Sequence, residues 1–566
     1  MSGKIFSGLA RLLMALAVFV SSVFGLPIKG DRPDPSLEAP AWPVWVHKHW
    51  VWENSGTQES AMENCLGYIN NSIPVGAIII DRPWSTDSNT FIPDPALYPD
   101  LGEQVQKYHA MDVRVIMWAT SIVNETASNY QEGKDKGYFL SGGRTVKWWG
   151  GKGALLDYTN PEAVEWWHGQ MDTILDMGID GWKVDGTDPY VMALLPAIGY
   201  GGKLVSWSDY KEQCYGDFFN YTRSKLGNDR VISARPVDDQ LLRIGLPIVS
   251  TSRDINFAGW VGDNDNDWGG LKHALNNMFS SSFFNFVSYG SDIGGFRSDG
   301  NQYKDVFIRW AQLGALCPVM ENGGGGEHRP WMYDEETLDI YRKFVYLHNE
   351  LIPYIYSQAA YSYELERPTM QVKPGKYTYL LGDDILVAPF YEEGNERNVV
   401  FPKGEWIYMF DETKQYSQGR ENLSFGLDEF PVFIRKGAII PLDVTNSANG
   451  HGSELSGKYT TVLIYPEEGE KKFGLYEENE KGSLISYSKD DSSLHLKCTP
   501  SKRSLLFRVS GEPVPKTVEL NSGSQLAKAS SMAQLTVMQS GYFTQGGITW
   551  IAVKDVLSGT DITVNY

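Results

Sequence analysis

Basic residues are in short supply in this chain. Its 50 Lys and Arg against 70 Asp and Glu leave 566 residues with a formal charge of −20. Such a surface repels nucleic-acid phosphates, and no basic patch with interleaved aromatics offsets it. Cysteine is scarcer still: Cys65, Cys214, Cys317 and Cys498 stand too far apart for a metal-ligand motif. In an oxidising compartment they allow several pairings, and Cys317, in an apolar run, reads as a buried free thiol. Repeats and long low-complexity segments are missing as well. Long hydrophobic runs are absent but for residues 12–24, which fall short of the roughly 20 that a membrane-spanning helix needs. With Lys4 and Arg11 before it and Val23 and Gly25 placed for cleavage, that run is expected to be a signal peptide, residues 1–25. A signal anchor is the alternative.

What is present begins with apolar residues, 42% of the chain and ample for sizeable cores. Aromatic residues reach 13%; their flat faces suit sugar rings but equally fill cores. Four Asn-X-Ser/Thr tripeptides, at Asn70, Asn124, Asn220 and Asn422, fit a glycosylated, secreted protein, although such tripeptides also arise by chance.

After a linker at 26–40, strand-like runs alternate with helical stretches. The strand candidates are 44–48, 75–81, 113–119, 179–185, 231–235, 257–263, 286–292 and 313–320. Eight strands with crossovers predict an α/β fold, a (β/α)8 barrel over 41–361. Polar residues recur at their C-terminal ends: Asp81, Trp118, Asp185, Arg235, Asp263 and Asp292. A packed core does not explain acids at the same end of four strands, because isolated buried carboxylates are costly. Beyond 361, short runs broken by Gly, Pro and Asp turns predict two antiparallel β-sandwich domains, 362–443 and 444–566.

The stretch Gly178-Ile-Asp-Gly-Trp-Lys-Val-Asp185-Gly-Thr-Asp188 is central. It follows a helical segment over 161–177 and reads as a strand ending in an acid, where α/β barrels hold catalytic groups. Gly181, Lys183 and Asp185 share one face, Trp182 and Val184 the other. A loop-capping role for Asp185 is the plain alternative. Lys183 on the same face is expected to favour an ionised Asp185, as a nucleophile requires. A second stretch, Gly259-Trp260-Val-Gly-Asp263-Asn-Asp-Asn-Asp-Trp268, clusters acids between two Trp. Metal binding is an alternative there, but the spacing lacks the glycine and distal Glu of a calcium loop.

These stretches, with Tyr289-Gly-Ser-Asp292-Ile-Gly-Gly-Phe296 and Arg309-Trp310-Ala-Gln312, resemble glycoside hydrolase family 31. So do GDDILVAPF at 382–390, PKGEW at 402–406 and PVFIRKGAIIP at 431–441. The resemblance implies a secreted retaining α-glycosidase acting on a carbohydrate substrate, needing no metal or cofactor, with Asp185 as nucleophile and Asp263 as general acid/base. Asp81, Arg235 and Asp292 match positions that bind sugar hydroxyls; Trp118 and Trp182 match less closely, and core packing explains Trp182 equally well. Trp260 and nearby acids are expected to keep Asp263 protonated for donation to the leaving group.

Two departures bear on specificity. Only about fifteen residues separate the signal from the first strand, where the family usually carries a β-sandwich. After strand eight, Glu321-Asn-Gly-Gly-Gly-Gly-Glu-His328 replaces the family's Arg-Asn-His group. Glu321 is expected at the barrel mouth beside the sugar, and His328 either folds back as a substitute for the missing histidine or lies on the surface. The altered loop favours α-galactosidase or another non-glucose specificity over α-glucosidase. A transglycosidase or lyase would use the same pair, and a catalytically silent sugar-binding protein is the reading from another class.

Overall fold

The computed structural model describes residues 33–238, 248–521 and 523–566. The expected signal peptide lies outside the described residues. The chain forms two compact units, one over residues 48–338 and one combining 33–47 with 339–566.

The first unit is built on eight parallel strand positions: β1 (His49–Glu53), β2 (Ala77–Ile80), β3 (Arg114–Ala119), β4 (Gly181–Val184), β5 (Val231–Ser233), β6 (Gly259–Trp260), β7 in two pieces (Tyr289–Gly290 and Asp292–Ile293) and β8 (Met320–Asn322). Strand β1 pairs with both β2 and β8, so first and last strands meet as barrel closure requires. The ladder runs β7, β8, β1, β2, β3, β4, β5, and the other piece of β7 pairs with β6. Along β4 the alternation falls as the sequence predicts. Trp182 packs outward between Phe91 and Phe218, with its indole N–H on Thr222, and is core. Lys183 points into the barrel, fully buried.

Two expected strands are displaced. Residues 44–47 form a 3-10 turn, and β1 begins at His49. The apolar run continues through both, so patterning alone does not locate the pairing segment. Leu313 lies in the last turn of the helix Lys304–Gly314, and β8 starts only at Met320. Pro318, which has no N–H for a central ladder, stands between them. The helix before β4 closes at Leu175, two residues short of the expected end, and Gly178 turns the chain with φ +85°.

The second unit holds a six-stranded sheet spanning Met370 to Arg435, followed by a five-stranded and a six-stranded sheet. Among the described residues its named strands pair antiparallel, apart from the parallel pairing of Thr460–Ile464 with Leu505–Ser510. Ile439–Leu442 belongs by hydrogen bonding to the five-stranded sheet, through Thr460–Ile464. The described part of the expected linker is fastened to this unit. The Ser36 backbone N–H and hydroxyl both donate to Glu364, and Tyr361 donates to the Pro33 carbonyl at 2.7 Å.

All four cysteines are buried thiols outside any disulfide, Cys317 as the sequence suggests. Among the sequons, Asn70, Asn220 and Asn422 are exposed, but Asn124 is buried. Its amide donates to Asp87 (2.9 Å) and accepts from Trp148 (2.8 Å).

Candidate active site

The C-terminal ends of the barrel strands bring most of the expected side chains together. Asp185 follows β4, its backbone N–H on the Ala119 carbonyl of β3. Its Oδ1 accepts from the Gly186 N–H at 2.8 Å and from Arg235 Nη2 at 3.2 Å. The Trp118 indole N–H points at Oδ2 from 3.5 Å, a long contact. Arg235, just beyond β5, uses the same Nη2 to reach Asp263 Oδ1 at 3.0 Å, while its Nη1 is fixed by Asp238 at 2.5 Å. Burial pulls the Arg235 pKa down, but Asp263, Asp238 and Asp185 outweigh it and hold the cation.

Because one nitrogen touches both carboxylates, their nearest oxygens stand no more than about 6 Å apart. That bound admits the close pair of carboxyl groups, roughly 5–5.5 Å apart, of retaining glycosidases. Asp263 is the more open of the two, with 28% of its side chain exposed against 16% for Asp185.

The geometry specifies which charges meet. Lys183 hydrogen-bonds Asp81 Oδ2 at 3.1 Å, and the cation that touches Asp185 is Arg235. Lys183 acts on Asp185 only at longer range; burial pulls its pKa down, and Asp81, Asp292, Glu321 and Asp185 together raise it. Trp260 lies against the two buried cations. Its ring carries Lys183 Nζ 5.1 Å and Arg235 Cζ 5.2 Å from the centroid, while Asp263 faces Arg235 and, at 3.8 Å, Arg297.

The floor is made by Asp81, Asp292 and Glu321 around Lys183. The indole of Trp52 lies against the ammonium, 3.5 Å from ring centroid to Nζ. Burial raises the Asp81 pKa against the opposing pull of Lys183. Glu321 is not at the mouth: it lies inside β8, opposite Asp292 in register, and both are wholly buried. Burial pushes Glu321 up to about 7 and raises Asp292 well above the usual carboxylate range; Asp81 adds to the rise at Glu321 and Glu321 to that at Asp292, while Lys183 and hydrogen bonding with Asp292 and the Trp52 indole pull Glu321 down. The glycine run that follows is packed. A Cβ on Gly323 would strike the Trp52 indole at 2.3 Å, and one on Gly324, at φ +152°, would meet His328 Nε2 at 2.7 Å. His328 folds back into the protein, its Nδ1–H donating to the Ile293 carbonyl at 2.9 Å beside Asp292. Burial lowers its pKa to about 4.

The acid-rich stretch after Asp263 serves local structure. Asp267 caps the helix Trp268–Phe283 by accepting from the Gly270 N–H at 2.8 Å, and Arg297 donates to the Asp263 carbonyl at 2.7 Å. Among the described residues no group of three or more His, Cys, Asp or Glu is disposed to hold a metal ion, and no helix is long and apolar enough to cross a membrane.

Sequence reasoning missed Trp52, Asp238, Arg297 and the rim residues Arg82 and Trp149. Trp149, half exposed, meets Trp118 edge-on at 5.9 Å and lies 5.0 Å beneath the Arg82 guanidinium. Asp238 stands three residues after Arg235, a spacing that was available as a signal. Trp149 sits on the turn of a hairpin between β3 and β4 that strand patterning does not tie to the site.

A family model for the glycosyl hydrolase family 31 TIM-barrel domain matches residues 39–358, and one for the family's C-terminal domain matches 355–440. Alpha-glucosidase 2 of Bacillus thermoamyloliquefaciens is 26% identical over 494 residues, covering 82% of this chain and 60% of that protein. Alpha-xylosidase XylQ of Lactiplantibacillus pentosus is 26% identical over 489 residues, 78% of this chain and 61% of that one. The chain thus spans about three fifths of the length of these curated relatives. Among solved structures, a cycloalternan-forming enzyme from Listeria monocytogenes, in complex with a pentasaccharide substrate, superposes with a TM-score of 0.81 at 21% identity. That match covers 98% of this chain and 56% of the other.

Proposed function

The chain belongs to glycoside hydrolase family 31, and from that premise we propose that it is a secreted retaining α-glycosidase that removes terminal α-linked sugars by double displacement. The observation that carries this reading is the single Arg235 nitrogen bonded to both Asp185 and Asp263. It gathers the two carboxyl groups on one cation, which supports the close spacing at which one carboxylate attacks the sugar directly.

Asp185, held by Arg235 and the Gly186 N–H, attacks the anomeric carbon. The glycosidic oxygen leaves with a proton from Asp263, the more exposed acid. The bond to Asp185 inverts the centre. Asp263, now a carboxylate, takes a proton from water as its oxygen attacks the same carbon and Asp185 departs, restoring the α configuration. Asp81, Lys183 and Asp292 hold hydroxyls of the sugar, and Trp118 and Trp149 line the approach. Short charged hydrogen bonds there strengthen as the ring distorts toward an oxocarbenium ion.

The buried Glu321 in β8 supports a sugar other than glucose, α-galactosides first, although relatives carry the names α-glucosidase and α-xylosidase. A sugar acceptor in place of water would make the same site a transglycosidase, a reading favoured by the isomaltosyltransferase of Sporosarcina globispora, 24% identical over 499 residues. A panel of aryl α-glycosides (glucose, galactose, xylose, N-acetylgalactosamine, sulfoquinovose) tests the proposal. Release of the aryl group from at least one, with an α-configured product, supports it; inertness toward all, with binding intact, favours a silent sugar-binding protein.

A further inference from the structure

The floor of the site holds more buried acid than its cations balance. Asp81, Asp238, Asp292 and Glu321 are buried around two buried cations, Lys183 and Arg235, while the half-buried Asp185 and Asp263 share Arg235, and Asp263 also has the more exposed Arg297 at 3.8 Å. Lys183 is hydrogen-bonded to Asp81, and Arg235 to Asp185, Asp238 and Asp263. Asp292 and Glu321 have no such bond. They face each other across the β7–β8 ladder, both 0% exposed, and none of their four carboxyl oxygens has a well-formed hydrogen bond. An unpartnered carboxyl is costly to bury, and two side by side cannot both ionise cheaply. Beyond the Trp52 indole facing Glu321, such a pair is a place for a donor brought by a ligand.

We propose that Asp292 and Glu321 form one proton-sharing acceptor pair that selects sugars by the charge they bring to the floor of the site, favouring an amino sugar, admitting a neutral one and rejecting a carboxylate- or sulfonate-bearing one. This rests on the α-glycosidase reading of the site and adds its substrate class. An ammonium supplies up to three donors and the missing positive charge. A hydroxyl donates once and leaves the charge unbalanced, so it is accepted while the pair keeps a proton. An acidic sugar adds to the excess.

The groups that set the proton on this pair come from every neighbouring strand. Lys183 on β4 and Arg235 beyond β5 favour its loss; Asp81 beyond β2 and Asp263 beyond β6 favour its retention. Trp52 on β1 faces Glu321, and His328, neutral through burial, closes the side nearest Ile293. With Glu321 raised to about 7, the pair becomes more negative as pH climbs through neutrality. The preference for an ammonium over a hydroxyl therefore grows with pH.

The test is calorimetric binding of 1,5-anhydrohexitols, which lack a scissile bond, to the wild-type protein. Neutral compounds are compared with their 4-amino-4-deoxy and 6-amino-6-deoxy counterparts and a 6-carboxylate at pH 5.5 and pH 7.5. At pH 7.5 the better amino compound should bind at least tenfold tighter than its neutral parent, and the acid should not bind measurably. The amino-to-neutral ratio should rise about tenfold from pH 5.5, and Glu321→Gln should flatten that rise. Equal affinity of amino and neutral compounds at pH 7.5, or a ratio independent of pH in the wild type, overturns the proposal whether or not Glu321→Gln folds. Either result leaves the α-glycosidase reading standing, since that is decided separately by aryl glycoside hydrolysis.

Discussion

Lys183 and Asp81 form a buried ion pair across the barrel, Nζ to Oδ2 3.1 Å, with 5% and 7% of their side chains exposed. The lysine beside the proposed nucleophile in sequence is thus bonded to an acid on another strand. Removing one partner leaves an uncompensated buried charge, which costs about 3–5 kcal/mol. Lys183→Met should lose stability on that scale in chemical denaturation, and Asp81→Asn combined with Lys183→Met should recover at least half of it. If the single variant is as stable as the wild type, the pair does not hold the floor of the barrel.

Asp263→Asn removes the proton donor and leaves the nucleophile. Hydrolysis of aryl glycosides with poor leaving groups should fall by at least about a hundredfold, and that of those with good ones much less. Azide, entering beside the neutral amide, should partly restore turnover and give an α-glycosyl azide. Equal losses on all leaving groups would assign the acid role elsewhere.

His328 is neutral in the fold because burial holds its pKa near 4, against about 6.5 in the unfolded chain. The unfolded state binds the extra proton between those values, so stability present above pH 6.5 is lost as pH falls toward 4, by at most about 3 kcal/mol. Denaturation of His328→Gln should show a correspondingly smaller loss between pH 7 and pH 4.5. An identical loss in both proteins would contradict the buried, neutral assignment.

The Asn124 amide is occupied by Asp87 and Trp148 inside the fold. Peptide mapping of protein from a glycosylating host should find Asn124 unmodified, with any glycan on Asn70, Asn220 or Asn422. Asn124→Asp should destabilise, since the Asp87 carboxylate loses its donor and gains a like charge. A glycan at Asn124 would mean modification precedes folding of the hairpin around it.

The barrel was legible because acids at strand ends are a chemical signal that survives without coordinates, as at Asp81, Asp185, Asp263 and Asp292. What was not legible is which charge meets which. Strand alternation puts Lys183 and Asp185 on one face but does not give the reach of a lysine side chain, which takes Lys183 to Asp81. Glu321 appeared to belong to a loop because the apolar run before it reads as the whole of strand eight; Pro318 moves the strand onto the acid. His328 was undecidable, since a glycine run reads the same whether slack or, as with Gly323 and Gly324, packed against Trp52 and the histidine itself.

Covalent trapping tests the central claim most directly. The protein is incubated with the 5-fluoro-α-glycosyl fluoride of whichever sugar the aryl panel identifies, digested, and the ester located by mass spectrometry. The account predicts one equivalent of fluoroglycosyl on Asp185, with none formed in Asp185→Asn. A label on Asp263, Asp81 or Asp292 in the wild type would contradict it.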